Sequence, residues 1–72
     1  MCNNIASERR RIGFKQSDLA HEIGVSESTV SRWERGVTLP YGMELIAMKG
    51  LFGCSTDYLL GITDERVAGK AR

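Results

Sequence analysis

The sequence is poor in almost every feature that would narrow its function by composition. It holds one proline, one histidine and two cysteines in 72 residues. No apolar run approaches the roughly 20 residues that span a bilayer. The opening MCNNIASERRR has no apolar core and does not read as a secretory signal. The expected location is therefore the cytoplasm, and no membrane partner is expected. Cys2 and Cys54 lie far apart in a chain without such a signal, which is poor evidence for a disulfide framework. Cys54 reads as a small buried apolar residue and Cys2 as incidental. His21 has only Glu22 beside it and no further ligand at metal spacing, so it reads as a solvated helix position. No metal and no cofactor are expected. A nucleophile–base pair and a Gly-rich phosphate loop are also missing, so an enzyme is not expected. Charge of one sign is scarce as well: the net charge is +1, and residues 1–36 carry six Lys/Arg against five Asp/Glu. Charge alone does not nominate a polyanion partner; local placement would have to do so.

What is present is ordinary in bulk and specific in pattern. The chain is 42% hydrophobic and 26% charged, as soluble globular proteins are. Its length allows one domain. So small a domain buries only about 60% of its unfolded surface, so self-association would help its stability. Nothing alternates with period two for long enough to predict a strand. The fold class expected is all-α.

Five helices follow from caps and apolar spacing. The first covers about residues 4–11, capped by Asn3 or Asn4, with Ile5 and Ile12 on one face and Gly13 as its stop. The second covers 16–23, with Leu19, Ala20 and Ile23 as its stripe and Gly24 ending it. Ser26 caps the third, Glu27 suits the positive end of its dipole, and the helix runs to about Glu34. Gly36 follows as the residue just past its end. Thr38, Leu39 and Pro40 form a loop, with Pro40 starting the fourth helix or lying just before it. The fourth covers 41–52, with Leu45, Met48 and Phe52 facing the core, and Gly53 closes it. Gly42 and Gly50 lower its helix propensity, so it is expected to be the loosest element. Ser55 caps a short fifth helix within TDYLLG. From Ile62 the segment ITDERVAGKAR is polar and expected to be flexible, which gives a domain over 1–61 and a tail over 62–72.

The centre of the sequence is QSDLAHEIGVSESTVSRWERG, residues 16–36. Leu19, Ile23, Val25, Val30 and Trp33 have the spacing of a shared core. Ala20 must be small if the third helix crosses close to the second. Gly24 takes the left-handed conformation of a tight turn. Two helices at roughly 90–120° across three or four residues make a helix-turn-helix. That geometry leaves Glu27, Ser28, Ser31, Arg32 and Arg35 on the open side of the third helix.

The stretches RIGFKQSDLAHEIGVSESTVSRWERG, LP and GCSTDYLLG together resemble the Cro/C1-type (XRE) helix-turn-helix domain of phage repressors and small bacterial regulators. The resemblance covers about residues 5–61. It implies a compact five-helix bundle of the lambda-repressor-like DNA-binding type, with double-stranded DNA as partner and the helix over 26–35 in the major groove. Glu27, Ser28, Thr29 and Arg32 then fall at base edges, with Arg32 suited to guanine O6 and N7. Lys15, Gln16, Ser31, Arg35 and Thr38 fall near the DNA backbone, Gln16 as a phosphate ligand at the start of the second helix. Lys15 departs from the family's usual capping residue, and Lys49 stands where the family usually has Ala. Arg9 and Glu34 match a structural ion pair. Of the remaining arginines in ERRR, Arg10 and Arg11 read as solvated or near phosphate.

These features imply a sequence-specific transcriptional regulator, a repressor binding a two-fold operator as a homodimer. The apolar surface available for a dimer would come from Tyr58, Leu59, Leu60 and Ile62, or those residues would close a monomer's core. Two other readings stay open. One is an antitoxin-like module whose main partner is another protein. The other is the DNA-binding fragment of a longer repressor.

Overall fold

Polar caps and positive-φ glycines cut the chain into five helices: α1 Ile5–Arg11, α2 Gln16–Ile23, α3 Glu27–Glu34, α4 Gly42–Phe52 and α5 Thr56–Leu59. The structure, a computed structural model, describes residues 3–66 and contains no strand among them. Cys2 and residues 67–72, the end of the segment read as a tail, lie outside the described residues.

Each boundary has a local cause. Asn4 is the N-cap residue of α1, but its side chain donates instead to the Tyr58 carbonyl at 2.7 Å. The neighbouring Asn3 carboxamide takes the capping bond, accepting from the Ile5 N–H at 3.1 Å, and donates to the Trp33 carbonyl at 2.8 Å. Both asparagines thereby tie the start of α1 to distant elements. The turn between α2 and α3 rests on Gly24, whose φ is 88°. That conformation lets the Gly24 and Val25 N–H groups both reach the Ala20 carbonyl, at 2.8 and 2.9 Å. Ser26 then caps α3 by accepting from the Thr29 N–H at 3.2 Å. Ser55 caps α5 in the same way, accepting from Tyr58 N–H at 3.1 Å. Pro40 lies before α4, which begins after Tyr41, one residue later than expected; the Glu44 carboxylate accepts from the Tyr41 N–H at 2.7 Å and holds that start.

The core gathers Ile5, Leu19, Ala20, Val30, Trp33, Met48, Phe52, Cys54 and Leu59. Ile12, Phe14, Ile23, Val25, Leu45, Leu51 and Tyr58 pack around it. Trp33 is 2% exposed and serves as the anchor of α3. Fully burying a large apolar side chain contributes roughly 1.5–3 kcal/mol, so α3 is held to the body by Val30 and Trp33 while its opposite face stays free.

At three places the structure goes further than the sequence. Leu59 is fully buried, and Tyr58 and Leu60 are half-buried, so this end of the molecule closes its own core; only Ile62 of the four stands free. Arg11, read as solvated, keeps 48% of its side chain exposed and is also paired: its Nε donates to Glu8 at 2.9 Å and its Nη2 to the Phe52 carbonyl at 2.7 Å. Residues 62–66 are fastened to the body: the Ser55 N–H donates to the Arg66 carbonyl at 2.7 Å, and Arg66 donates to both oxygens of Glu8, at 2.8 and 2.9 Å. The reason is that Glu8, placed on α1 by helical spacing, is only 2% exposed and needs counter-charges, which Arg11 and Arg66 supply.

Candidate nucleic-acid interface

The candidate interface begins with the face of α3 turned away from Val30 and Trp33. Glu27 and Ser28 are exposed in its first turn; Thr29, Ser31 and Arg32 are half-buried, and Arg35 is exposed as the residue ending the helix. Helical periodicity makes this unavoidable. With Val30 and Trp33 inside, the residues between them must face out.

Hydrogen bonds then organise the face. The Ser26 hydroxyl lies 2.8 Å from that of Thr29 and 3.1 Å from that of Ser28. Arg32 Nη2 donates to Thr29 Oγ1 at 3.2 Å, and Arg35 Nε donates to Ser31 Oγ at 3.3 Å. Thr29 and Arg32 share with Thr38, Tyr41 and Glu44 the wall of an open groove of about 410 Å³ between α3 and the start of α4. Thr38 is thus brought beside α3 by the loop that leads to Pro40.

At the other side, Lys15 is the exposed N-cap of α2 and Gln16 its half-buried first residue. Lys15 supplies no side-chain cap; the Asp18 carboxylate instead accepts from the Lys15 N–H at 2.8 Å. Behind them Arg9 and Glu34 form a nearly buried ion pair, with side chains 10% and 7% exposed. Arg9 Nε donates to Glu34 Oε2 at 2.6 Å and Nη2 to Oε1 at 3.2 Å, while Nη1 donates to the Phe14 carbonyl at 2.8 Å. Gln16 Nε2 also donates to Glu34 Oε1, at 3.0 Å. The start of α2 and the end of α3 are therefore joined through side chains.

The sequence reading missed that Gln16–Glu34 contact. It also missed an exposed apolar run, Val37, Leu39, Tyr41, Met43 and Ile46, each more than half exposed. The signal for it was available: Met43 and Ile46 fall off the Leu45–Met48–Phe52 stripe, so α4 is apolar on both sides. Among the described residues no helix is long and apolar enough to cross a membrane, and no group of His, Cys, Asp or Glu is placed to hold a metal ion.

Two packed helices joined by a glycine turn, a buried tryptophan and an outward polar face define a helix-turn-helix domain. The family model described as helix-turn-helix matches residues 5–59, and the chain belongs to this family, in its XRE-type branch. It is 38% identical over 60 residues to repressor protein C2 of Salmonella phage P22, a match covering 83% of this chain and 28% of that protein. It is 34% identical over 56 residues to the transcriptional regulator DicA of Escherichia coli K12, covering 78% of this chain and 42% of that one. The chain thus spans less than half the length of these relatives. Among solved structures, the P22 c2 repressor in complex with synthetic operator 9T superposes with a TM-score of 0.72 at 39% identity, covering 78% of this chain and 85% of that one.

Proposed function

We propose that this chain is a sequence-specific DNA-binding transcription regulator, acting as a repressor, with α3 lying in the major groove. The observation that carries the reading is the polar face of α3, exposed or half-buried along its length, on a helix whose other side is locked by Val30 and Trp33. The P22 repressor, solved on operator DNA, supports it. In this reading Glu27, Ser28, Thr29 and Arg32 meet base edges. Arg32 reads guanine, and Glu27 accepts from cytosine N4 or rejects other bases. Lys15, Gln16, Ser31, Arg35 and Thr38 meet the sugar-phosphate backbone, where they set register and not sequence. With a net charge of +1, non-specific affinity is modest and specificity rests on these local contacts.

The protein binds a two-fold operator as a dimer, with half-sites about 34 Å apart. Its self-association surface is formed by the exposed apolar residues Val37, Leu39, Met43 and Ile46, since exposed apolar patches mark interaction sites.

Selection of bound sequences from a random duplex library at physiological salt tests both statements. A palindromic motif with fixed half-site spacing is the expected result. A single half-site would remove the dimer, and no enriched motif would remove the DNA-reading function. On the selected duplex, Arg32→Ala is expected to cost roughly 1–3 kcal/mol and relax preference at one base pair. An equal loss on all sequences would contradict direct reading.

A further inference from the structure

Glu34 occupies a position that helix electrostatics disfavours. It is the last residue of α3, where the helix dipole presents its negative end and a carboxylate is repelled. It is also nearly buried, with its side chain 7% exposed. Arg9 neutralises the charge but leaves Oε1 shared: that oxygen accepts from Arg9 Nη2 at 3.2 Å and from Gln16 Nε2 at 3.0 Å. A primary amide has two N–H groups. Glu34 occupies one of them and leaves the second available at Gln16, the first residue of α2, where a helix's first N–H groups have no partner within the helix.

We propose that Glu34 is a positioning residue for DNA binding: it orients the Gln16 amide as a phosphate ligand and ties that contact to the reading helix. The proposal rests on the DNA-reading function above and assigns Glu34 a part in it beyond stability. The three residues divide the work. Arg9 cancels a negative charge that would otherwise repel the phosphate. Glu34 fixes the amide. Gln16 donates. Because Glu34 ends α3, a shift of that helix displaces the phosphate ligand with it, so backbone register and base reading are coupled.

The test uses a background in which the buried pair is replaced as a unit. Arg9→Met with Glu34→Leu exchanges the ion pair for apolar side chains of similar volume, a replacement that preserves folding in other buried pairs. Circular dichroism checks that it does so here. Affinity is measured on the best duplex from the library selection. Gln16→Ala is expected to weaken binding roughly tenfold in the natural chain, the size of one charge-assisted hydrogen bond. In the Arg9→Met/Glu34→Leu background the same change should cost under about twofold. A tenfold loss in both backgrounds, or none in the natural chain, overturns the proposal.

Gln16→Asn gives a second check without disturbing the pair. Its amide falls one methylene short of Glu34, so it should bind as weakly as Gln16→Ala; binding at the natural level overturns the proposal. A third reading needs no DNA. Nitrogen relaxation of the Gln16 side-chain amide should show it restrained in the free natural protein and mobile once Glu34 is Leu. If library selection finds no motif, the function proposed above fails; an amide already mobile in the free natural protein sinks the orienting role of Glu34 separately.

Discussion

Among the described residues two carboxylates are nearly buried, and they are built differently. Glu34 sits at the end of α3 against Arg9, with both side chains at most 10% exposed. Glu8 sits in α1 at 3% side-chain exposure, but its partners Arg11 and Arg66 keep 48% and 35% of theirs in contact with solvent. The first pair is sealed; the second is a buried acid held by cations at the rim. A sealed pair has no escape when one member is removed. A rim cation can swing into water, so the loss is smaller. The first site joins α1, α2 and α3 beneath the candidate interface, and the second fastens residues 62–66 across α1 and the end of α4.

The comparison can be broken in steps. Arg9→Ala should be the most damaging, at about 3–5 kcal/mol, because Glu34 is left charged and nearly buried. Urea denaturation measures it, and a loss under about 1 kcal/mol would show that Glu34 reaches solvent. Glu8→Ala should cost less, about 1–3 kcal/mol, since its arginines can rehydrate. Equal losses in the two variants would erase the distinction.

Acid offers a third probe. Hydrogen bonds from Arg66 first, and then from Arg11, hold the Glu8 carboxyl below its ordinary value of 4.5, against burial, which raises it. A carboxyl lowered in the folded state stabilises above its unfolded value and stops doing so as pH falls through the folded one. Thermal midpoints should therefore drop as pH is taken below about 4.5, and the drop should be shallower in Glu8→Gln. An unchanged profile in that variant would remove Glu8 as the source. Arg11→Ala should have the smallest effect, within about 1 kcal/mol, because Arg66 still pairs both oxygens of Glu8.

The two carboxylates also differ in how they could be read in advance. The Arg9–Glu34 pair was visible through resemblance to a family motif, and so was the helix-turn-helix around Gly24. Nothing local announces that Glu8 and Arg66, 58 positions apart, will meet. Arg10 and Arg11 look alike in ERRR and both are exposed, yet Arg11 also bridges Glu8 and the Phe52 carbonyl. Which apolar residues would stay exposed was hidden for a related reason. Leu59 and Met43 are both apolar residues near a helix start or end, and only the packing makes one a core residue and the other 84% exposed.

The sequence by itself determined the five helices, their turns and the serine caps of α3 and α5, because those depend on groups within a few residues of one another: a serine hydroxyl and a nearby N–H, a glycine free to take φ near 88°, apolar side chains one helical turn apart. It also determined that α3 would carry a free polar face, since periodicity alone puts Val30 and Trp33 on the other side. The tertiary structure decided the rest: which arginine answers which buried acid, which apolar face of α4 is left uncovered, and that Gln16 leans on Glu34. These depend on where separate elements come together in space, and buried charge must find its partner there, whatever its distance along the chain.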